Sequence, residues 1–200
     1  MTQYAYIVDD DEAIRDSLSW LLQSRDISSF TYPSAEAFLE AWTPAMTGCI
    51  LLDIRMENMS GTELFERLLD HGCRMPVIFL TGHGDVPLAV AALKRGAFDF
   101  VEKPFSDNQL VDLVIEALRR DQARRTERAV EASLAARLDQ LTAREREVME
   151  RVLQGLPNKA IADELGLAMR TVEVHRARLF EKMGVRSAVE LAQVAAPARR

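Results

Sequence analysis

The feature that most constrains the fold is a series of short apolar runs in the first half of the chain, each followed by a stretch with helical periodicity. The runs cover residues 4–8, 27–32, 49–52, 76–80 and 98–101. The first, third and fourth are apolar throughout, which is typical of strands covered by helices on both faces of a parallel sheet. The pattern therefore predicts an α/β domain with a doubly wound, five-stranded parallel sheet.

After the last apolar run, the sequence is helical in character. It contains neither Gly nor Pro from Asp107 to Leu141 and is rich in Ala, Arg, Glu and Leu, which favour helix. We predict that the final helix of the first domain starts near Asp107 and continues as a long helical linker. A thin apolar stripe fits either a solvated hinge helix or a contact with a partner or second copy; it consists of Val130, Leu134, Leu138 and Leu141. Both interpretations remain open.

The C-terminal segment has helical patterns only. Thr142 and Glu145 have the spacing of a capping box, and three glycines stand where helices are expected to stop. We predict a four-helix, all-α domain there. The expected domains are residues 1–120, a linker at 121–137, and residues 138–200.

The charges of the two halves differ in sign. Residues 1–118 contain 8 Lys and Arg against 19 Asp and Glu, a net charge of −11, whereas residues 119–200 contain 17 against 12, a net charge of +5. Two differently solvated surfaces would give this asymmetry, but a small basic domain also favours a polyanionic partner.

Membrane insertion, secretion and disulfide formation are not expected. No apolar run approaches the roughly 20 residues that span a bilayer, and the N-terminus lacks a basic and apolar signal. Cys49 and Cys73 lack companions at metal-ligand spacing, so they are interpreted as packing residues. We expect a cytoplasmic protein without a membrane partner.

Charged and polar residues follow the predicted strands. In a doubly wound sheet, the functional crevice lies at the carboxyl ends of the strands. Taken alone, each of these residues has a simpler explanation, since an Asp after a strand commonly caps the next helix and a Lys is usually solvated. Together they converge, and two carboxylates about 4 Å apart repel by roughly 4 kcal/mol at an effective dielectric near 20, so the cluster needs a cation. The residues are Asp9, Asp10, Asp53, Thr81 and Lys103.

This cluster suits phosphoryl chemistry. Mg²⁺ takes one or two carboxylates and keeps waters for a phosphate. The Lys103 ammonium and the Thr81 hydroxyl would neutralise phosphoryl oxygens. No GxxxxGK[ST] loop is present to bind a nucleotide. Asp53, at the tip of the central strand, is the candidate nucleophile.

Three segments resemble the receiver domains of bacterial two-component response regulators over residues 1–120. They are "YIVDDDEAIRDSL", "LLDIRMENMSG" and "PVIFLTGHGDVPLAVAALKRGAFDFVEKPF". The resemblance implies a flavodoxin-like fold and phosphorylation of Asp53 by a sensor histidine kinase. One departure is Glu57, where the family usually has proline; we expect a looser loop there.

The resemblance also implies individual roles. Lys103 would pair with the phosphoryl oxygens, and its bond to Pro104 would be cis. Thr81 and Phe100 would form a switch pair. The implied Mg²⁺ ligands are Asp9, Asp10, Asp53 and the backbone carbonyl of Arg55.

The segment "NKAIADELGLAMRTVEVHRARLFEKMG" has the pattern of helix, tight turn and helix. Its second helix carries Val172, Leu179 and Met183 on one side and a polar, basic stripe on another. Residues 138–195 resemble the LuxR-type helix-turn-helix, and with the receiver the chain resembles the FixJ/NarL class. This implies binding of double-stranded promoter DNA through the major groove. The candidate DNA-contacting residues are Lys159, Arg170, Thr171, Glu173, Val174, His175, Arg176, Ala177, Arg178 and Lys182.

The recognition helix also shows a departure. Ala168 stands where the family usually has Ser, so a side-chain N-cap worth about 1 kcal/mol is expected to be missing.

The sequence therefore predicts a transcription regulator that dimerises on phosphorylation and is not an enzyme beyond Mg²⁺-dependent self-phosphorylation. An alternative is a Mg²⁺-dependent phosphohydrolase with Asp53 as nucleophile. Such enzymes commonly need an acid two residues further on, where this chain has Arg55. The other alternative is a regulator that senses a small molecule or acts without phosphorylation, but the complete acidic crevice argues against it.

Overall fold

The computed structural model describes residues 3–82 and 85–195. The chain divides into two compact units between Arg124 and Arg125. Each unit is described by itself.

The first unit is built on a parallel sheet. In the described residues it has five strands, in the order β2-β1-β3-β4-β5, and every neighbouring pair is parallel. This confirms the predicted sheet. The strands are β1 (Tyr4–Val8), β2 (Ser29–Tyr32), β3 (Gly48–Asp53), β4 (Val77–Thr81) and β5 (Asp99–Glu102).

Helices cover both faces of this sheet. One hydrophobic cluster joins Phe38 and Leu64 to the sheet, and the other contains Leu22 and Val114. Adjacent residues of β4 face opposite ways, since Phe79 belongs to the first cluster and Ile78 to the second. The helices are α1 (Glu12–Gln23), α2 (Ala35–Ala41), α3 (Gly61–Asp70), α4 (Val86–Lys94) and α5 (Asp107–Asp139).

The second strand is shorter than predicted. It begins at Ser29 instead of residue 27, because the N–H of Ile27 donates to Leu22 O and closes the end of α1. Ile27 is buried against α1 and α5 as part of that turn. The third strand extends beyond its predicted end and includes Asp53 as its last residue.

The two cysteines are free and buried, which confirms their interpretation as packing residues. Burial, with the nearby charge of Asp121, raises the pKa of Cys49 to about 12. Burial also raises the pKa of Cys73. Neither thiol is therefore a reactive thiolate near neutral pH.

Helix α5 contains residues of both units, and the predicted linker at 121–137 lies within it. In the first unit, its buried Asp121 accepts a hydrogen bond from Gly48 N at 3.1 Å. In the second unit, Leu134 is buried in the hydrophobic core. Over residues 3–82 and 85–195, no helix is both long and apolar enough to cross a membrane.

The second unit contains the predicted helices α6 (Ala143–Leu153), α7 (Asn158–Leu165), α8 (Met169–Met183) and α9 (Ala188–Ala195). Thr142 and Glu145 form the predicted capping box at the start of α6. Gly166 and Gly184 end α7 and α8 in the left-handed conformation, with φ of 64° and 65°.

Candidate functional site

Lys103 joins two buried carboxylates at the carboxyl edge of the sheet. Its Nζ lies 2.7 Å from Asp53 Oδ1 and 2.9 Å from Asp9 Oδ2. Asp9 directly follows β1, Asp53 ends β3 and Lys103 directly follows β5. The parallel topology therefore brings together three predicted site residues that are far apart in the sequence.

Burial and charge determine how these groups ionise. Burial raises the pKa of Asp53, and the charge of Asp9 adds to this, while the hydrogen bond from Lys103 opposes it. For Lys103, burial favours the neutral amine, but the hydrogen bonds and charges of Asp53 and Asp9 outweigh it and raise its pKa. With Lys103 cationic, two ionised carboxylates still leave an excess negative charge.

Asp10 is oriented by the segment that follows β3. It is exposed, and its Oδ2 accepts a hydrogen bond from the backbone N–H of Glu57 at 3.0 Å. Because proline has no N–H, this contact depends on the departure at position 57. Glu57, which was expected to loosen this loop, therefore links the loop to Asp10 by a backbone hydrogen bond.

The donor set fits a hard divalent cation. In the described part of the chain, no group of three or more His, Cys, Asp or Glu side chains is placed to hold a metal ion, so the predicted ligands Asp9, Asp10 and Asp53 do not form such a group. Asp9 and Asp53 nevertheless hold oxygens within hydrogen-bond distance of one ammonium, and their combined charge exceeds that of Lys103. Mg²⁺ needs only one or two carboxylates beside its waters, which this pair can supply.

Gly61 lets α3 approach the backbone of Asp53, a role that was missed in the sequence. A Cβ at position 61 would lie 2.0 Å from the carbonyl O of Asp53. Gly61 N also donates to Ile54 O at 3.0 Å. The sequence signal was a glycine directly after Ser60, the residue that caps α3.

We expect Gly61→Ala to disturb the site through the backbone. The added methyl must displace Asp53 or α3, and overpacking of this kind typically costs 1–3 kcal/mol, so we expect the free energy of unfolding to fall by about that amount. Phosphoryl incorporation at Asp53 should slow as well. Urea unfolding and intact-protein mass measure the two effects, with Thr62→Ala as the neighbouring control. Wild-type stability and rate in Gly61→Ala would contradict the close approach.

The predicted switch residues lie on the last two strands, Thr81 at the end of β4 and Phe100 within β5. Thr81 is fully buried, and its Oγ1 donates to Val101 O at 3.4 Å. Phe100 is half-buried on β5 and packs against the sheet's first cluster. The Lys103–Pro104 bond is cis, as the resemblance implied.

Arg55 makes an ion pair that the sequence did not indicate. Its Nε donates to Asp85 Oδ1 and Oδ2 at 2.7 and 2.9 Å. The hydrogen bonds from Arg55 lower the pKa of Asp85 against the opposing effect of burial. The pair links the segment after β3 to the residue before α4.

Helix α8 has the two predicted sides. Val172, Leu179 and Met183 are buried in the core of the second unit. As expected, the Ala168 N-cap makes no side-chain hydrogen bond. The exposed candidates are Lys159 on α7 and, on α8, Arg170, Thr171, Glu173, Val174, Ala177 and Arg178.

Three other candidates on α8 are half-buried, and two of them contact groups of the second unit. Arg176 Nη1 donates to Asn158 Oδ1 at 2.8 Å, and its guanidinium lies over the ring of Phe180. Lys182 Nζ lies 2.7 Å from Glu145 Oε2. Among the described residues, the buried Nδ1 of His175 has no hydrogen-bond partner. Their DNA contacts remain predictions.

Both units match known protein families. The model described as "Response regulator receiver domain" matches residues 5–115, and the model described as "Bacterial regulatory proteins, luxR family" matches residues 139–195. The chain belongs to the response regulators and combines a receiver domain with a LuxR-type DNA-binding domain. It is therefore of the transcription-factor class and not a classical enzyme.

The relatives match along nearly the whole chain. It is 50% identical over 196 residues to the C4-dicarboxylate transport transcriptional regulatory protein DctR of Rhodobacter capsulatus, which covers 97% of this chain and 100% of that protein. It is 43% identical over 192 residues to the transcriptional regulatory protein FixJ of Bradyrhizobium diazoefficiens, and the match covers 96% of this chain and 94% of that protein. The structure of the response regulator StyR matches with a TM-score of 0.92 at 38% identity, and the match covers 98% of this chain and 100% of that chain.

Proposed function

We propose that this protein regulates transcription by accepting a phosphoryl group on Asp53 and then binding promoter DNA as a homodimer. The observation that carries the proposal is the contact of Lys103 with both Asp53 and Asp9. A nucleophilic carboxylate beside a fixed cation and a second carboxylate suits transfer of a phosphoryl group. The proposed donor is a sensor histidine kinase.

In the transfer step, an ionised Asp53 oxygen attacks phosphorus as the bond from phosphorus to the donor breaks. Lys103 faces the reacting oxygen and neutralises charge on the phosphoryl group. Bound Mg²⁺ would supply further neutralisation of the phosphoryl oxygens. Its proposed ligands are Asp9, Asp10, Asp53 and the backbone carbonyl of Arg55.

The proposed switch starts at Thr81. Its hydroxyl would leave Val101 O for a phosphoryl oxygen, and Phe100 would turn inward and remodel the face formed by residues 86–101. Coupling of about 1–3 kcal/mol is typical of such switches, whereas a near-complete change in population needs about 5.5 kcal/mol. The free energy of dimerisation on DNA supplies the difference between these two values.

The side chain of Arg55 supports a switch over a phosphohydrolase. It pairs with Asp85 and, as a cation, cannot act as the acid expected two residues after the nucleophile. Incubation with acetyl phosphate should give a phosphorylated protein with Mg²⁺ and an unmodified one with a chelator, measured by intact mass. Continuous turnover of a generic phosphatase substrate would favour the hydrolase instead.

On the DNA side, we propose that residues 138–200 bind DNA, joined by a linker at 121–137 to the receiver at 1–120. Two half-sites about one helical turn apart suit a dimer. Glu173, Val174 and Ala177 would lie nearest the bases. The proposed phosphate contacts are Lys159, Arg170, His175, Arg176, Arg178 and Lys182, and Thr171 is a further proposed DNA contact.

Arg170 and Arg178 give the cleanest test of this face because both are exposed. We expect Arg170→Ala and Arg178→Ala each to weaken binding and to reduce the slope of log K against log salt by about 1, as loss of one phosphate contact does. Binding is measured by fluorescence anisotropy on duplex DNA selected by the wild-type protein. The exposed Arg186, outside α8, provides the Arg186→Ala control; equal effects there would contradict the assigned face.

A further inference from the structure

Arg137 caps the C-terminal end of α8. Its Nη1 donates to Met183 O, the carbonyl of the last residue of α8, at 2.9 Å. The last four carbonyls of a helix lack partners within the helix, and a cation near this end is favourable. Arg137 itself lies on α5, outside the helix-turn-helix motif.

The contact is close because α8 ends at a glycine. A Cβ at Gly184 would lie 3.3 Å from Arg137 Nη1. The left-handed backbone of Gly184, with φ of 65°, also turns the chain away from the helix axis. The guanidinium therefore sits directly against the end of α8.

A second link joins α8 to the residues that follow α5. Lys182 Nζ donates to Gln140 O at 3.1 Å and to the buried Glu145 at 2.7 Å. The same Glu145 carboxylate accepts from Thr142 N at 2.9 Å. The end of α8 is thus held both by α5 and by the chain just after it.

Apolar packing reinforces these polar links. Leu134 on α5 and Leu141 after it are buried in the same core as Val172 and Leu179 of α8. Part of the apolar stripe on α5 therefore packs inside the second unit. The sequence alone had left two interpretations of this stripe open. Val130, one helical turn earlier, is exposed.

We propose that Arg137 is a positioning residue for DNA recognition, fixing the C-terminal end of α8 while itself touching no DNA. The proposal rests on the proposed role of α8 as the recognition helix. It places the functional start of the DNA-binding unit inside α5, before residue 138. Arg137 then raises the affinity for DNA by positioning α8, and not by a direct electrostatic contact with a DNA phosphate.

The test compares full-length Arg137→Ala with Arg128→Ala, an exposed arginine on the same helix. Both proteins are treated with acetyl phosphate and Mg²⁺, and duplex DNA selected by the wild-type protein is titrated over a range of salt concentrations. We expect Arg137→Ala to bind about tenfold more weakly, consistent with loss of a charge-assisted hydrogen bond worth roughly 1.5 kcal/mol. Its salt slope should remain that of the wild type, and Arg128→Ala should change neither quantity.

A salt slope reduced by about 1 in Arg137→Ala would overturn the proposal, because it would show a direct phosphate contact. Unchanged affinity would overturn it too. Arg137→Lys, which keeps the charge, should recover most of the affinity. If Arg137→Ala unfolds, Arg137→Gln takes its place with the same expected results. Failure of the wild-type protein to bind any duplex would instead refute the proposed function.

Discussion

We expect Asp53→Asn to accept no phosphoryl group from acetyl phosphate in the presence of Mg²⁺. The amide oxygen of asparagine is a poor nucleophile and carries no charge, so the covalent step has no acceptor. The substitution keeps the side chain's shape, and Lys103 retains its contact with Asp9 at 2.9 Å. The fold should therefore survive while phosphate incorporation, followed by intact mass, disappears.

The matched control for this loss is Asp26→Asn. Asp26 is exposed and has a φ of 59°, a conformation that asparagine also adopts. This variant should incorporate phosphate as the wild type does. Undiminished incorporation in Asp53→Asn would show that another residue is the acceptor.

The second large effect is expected at Lys103. Lys103→Ala removes the ammonium that contacts the carboxylates of both Asp53 and Asp9. Removing one preorganised electrostatic group from an active site commonly costs about 10²–10³-fold in rate, and we expect phosphoryl incorporation to slow by that order. The comparison is made at saturating acetyl phosphate and Mg²⁺.

The pH dependence of this variant separates charge from packing. Burial already raises the pKa of Asp53, and the Lys103 hydrogen bond counteracts it. Without Lys103, that pKa rises further, so the ionised nucleophile is lost at a higher pH as the solution is acidified. The acid limb of the rate profile should move to higher pH in Lys103→Ala and stay in place in the exposed control Lys94→Ala. An unmoved acid limb would contradict the electrostatic role of Lys103.

The sequence predicted the main contacts of the site because strand topology determines them. Parallel strands end at one edge, so the residues that directly follow or end them, such as Asp9, Asp53 and Lys103, must converge there. The predicted sheet was correct because strands covered on both faces must be apolar, which the sequence shows directly. The start of β2 was wrong by two residues because the turn after α1 uses Ile27.

The missed residues act through contacts that have no periodic pattern. The Arg55–Asp85 ion pair joins two loops whose separation depends on packing, and Gly61 matters only because α3 comes against the carbonyl of Asp53. In the second unit, periodicity identified the buried side of α8. It could not show that Arg176 and Lys182 are bound to groups of their own domain.

Phosphorylation of Asp53 is proposed to control DNA binding, and a single titration measures that coupling. Duplex DNA selected by the phosphorylated wild-type protein is titrated with wild-type and Asp53→Asn proteins, each with and without acetyl phosphate and Mg²⁺. We predict that the phosphodonor tightens binding by the wild type at least fivefold, the lower end of typical allosteric coupling, and leaves Asp53→Asn unchanged. Equal affinity of the wild type in both conditions, or an equal gain in Asp53→Asn, would show that phosphorylation of Asp53 does not control DNA binding.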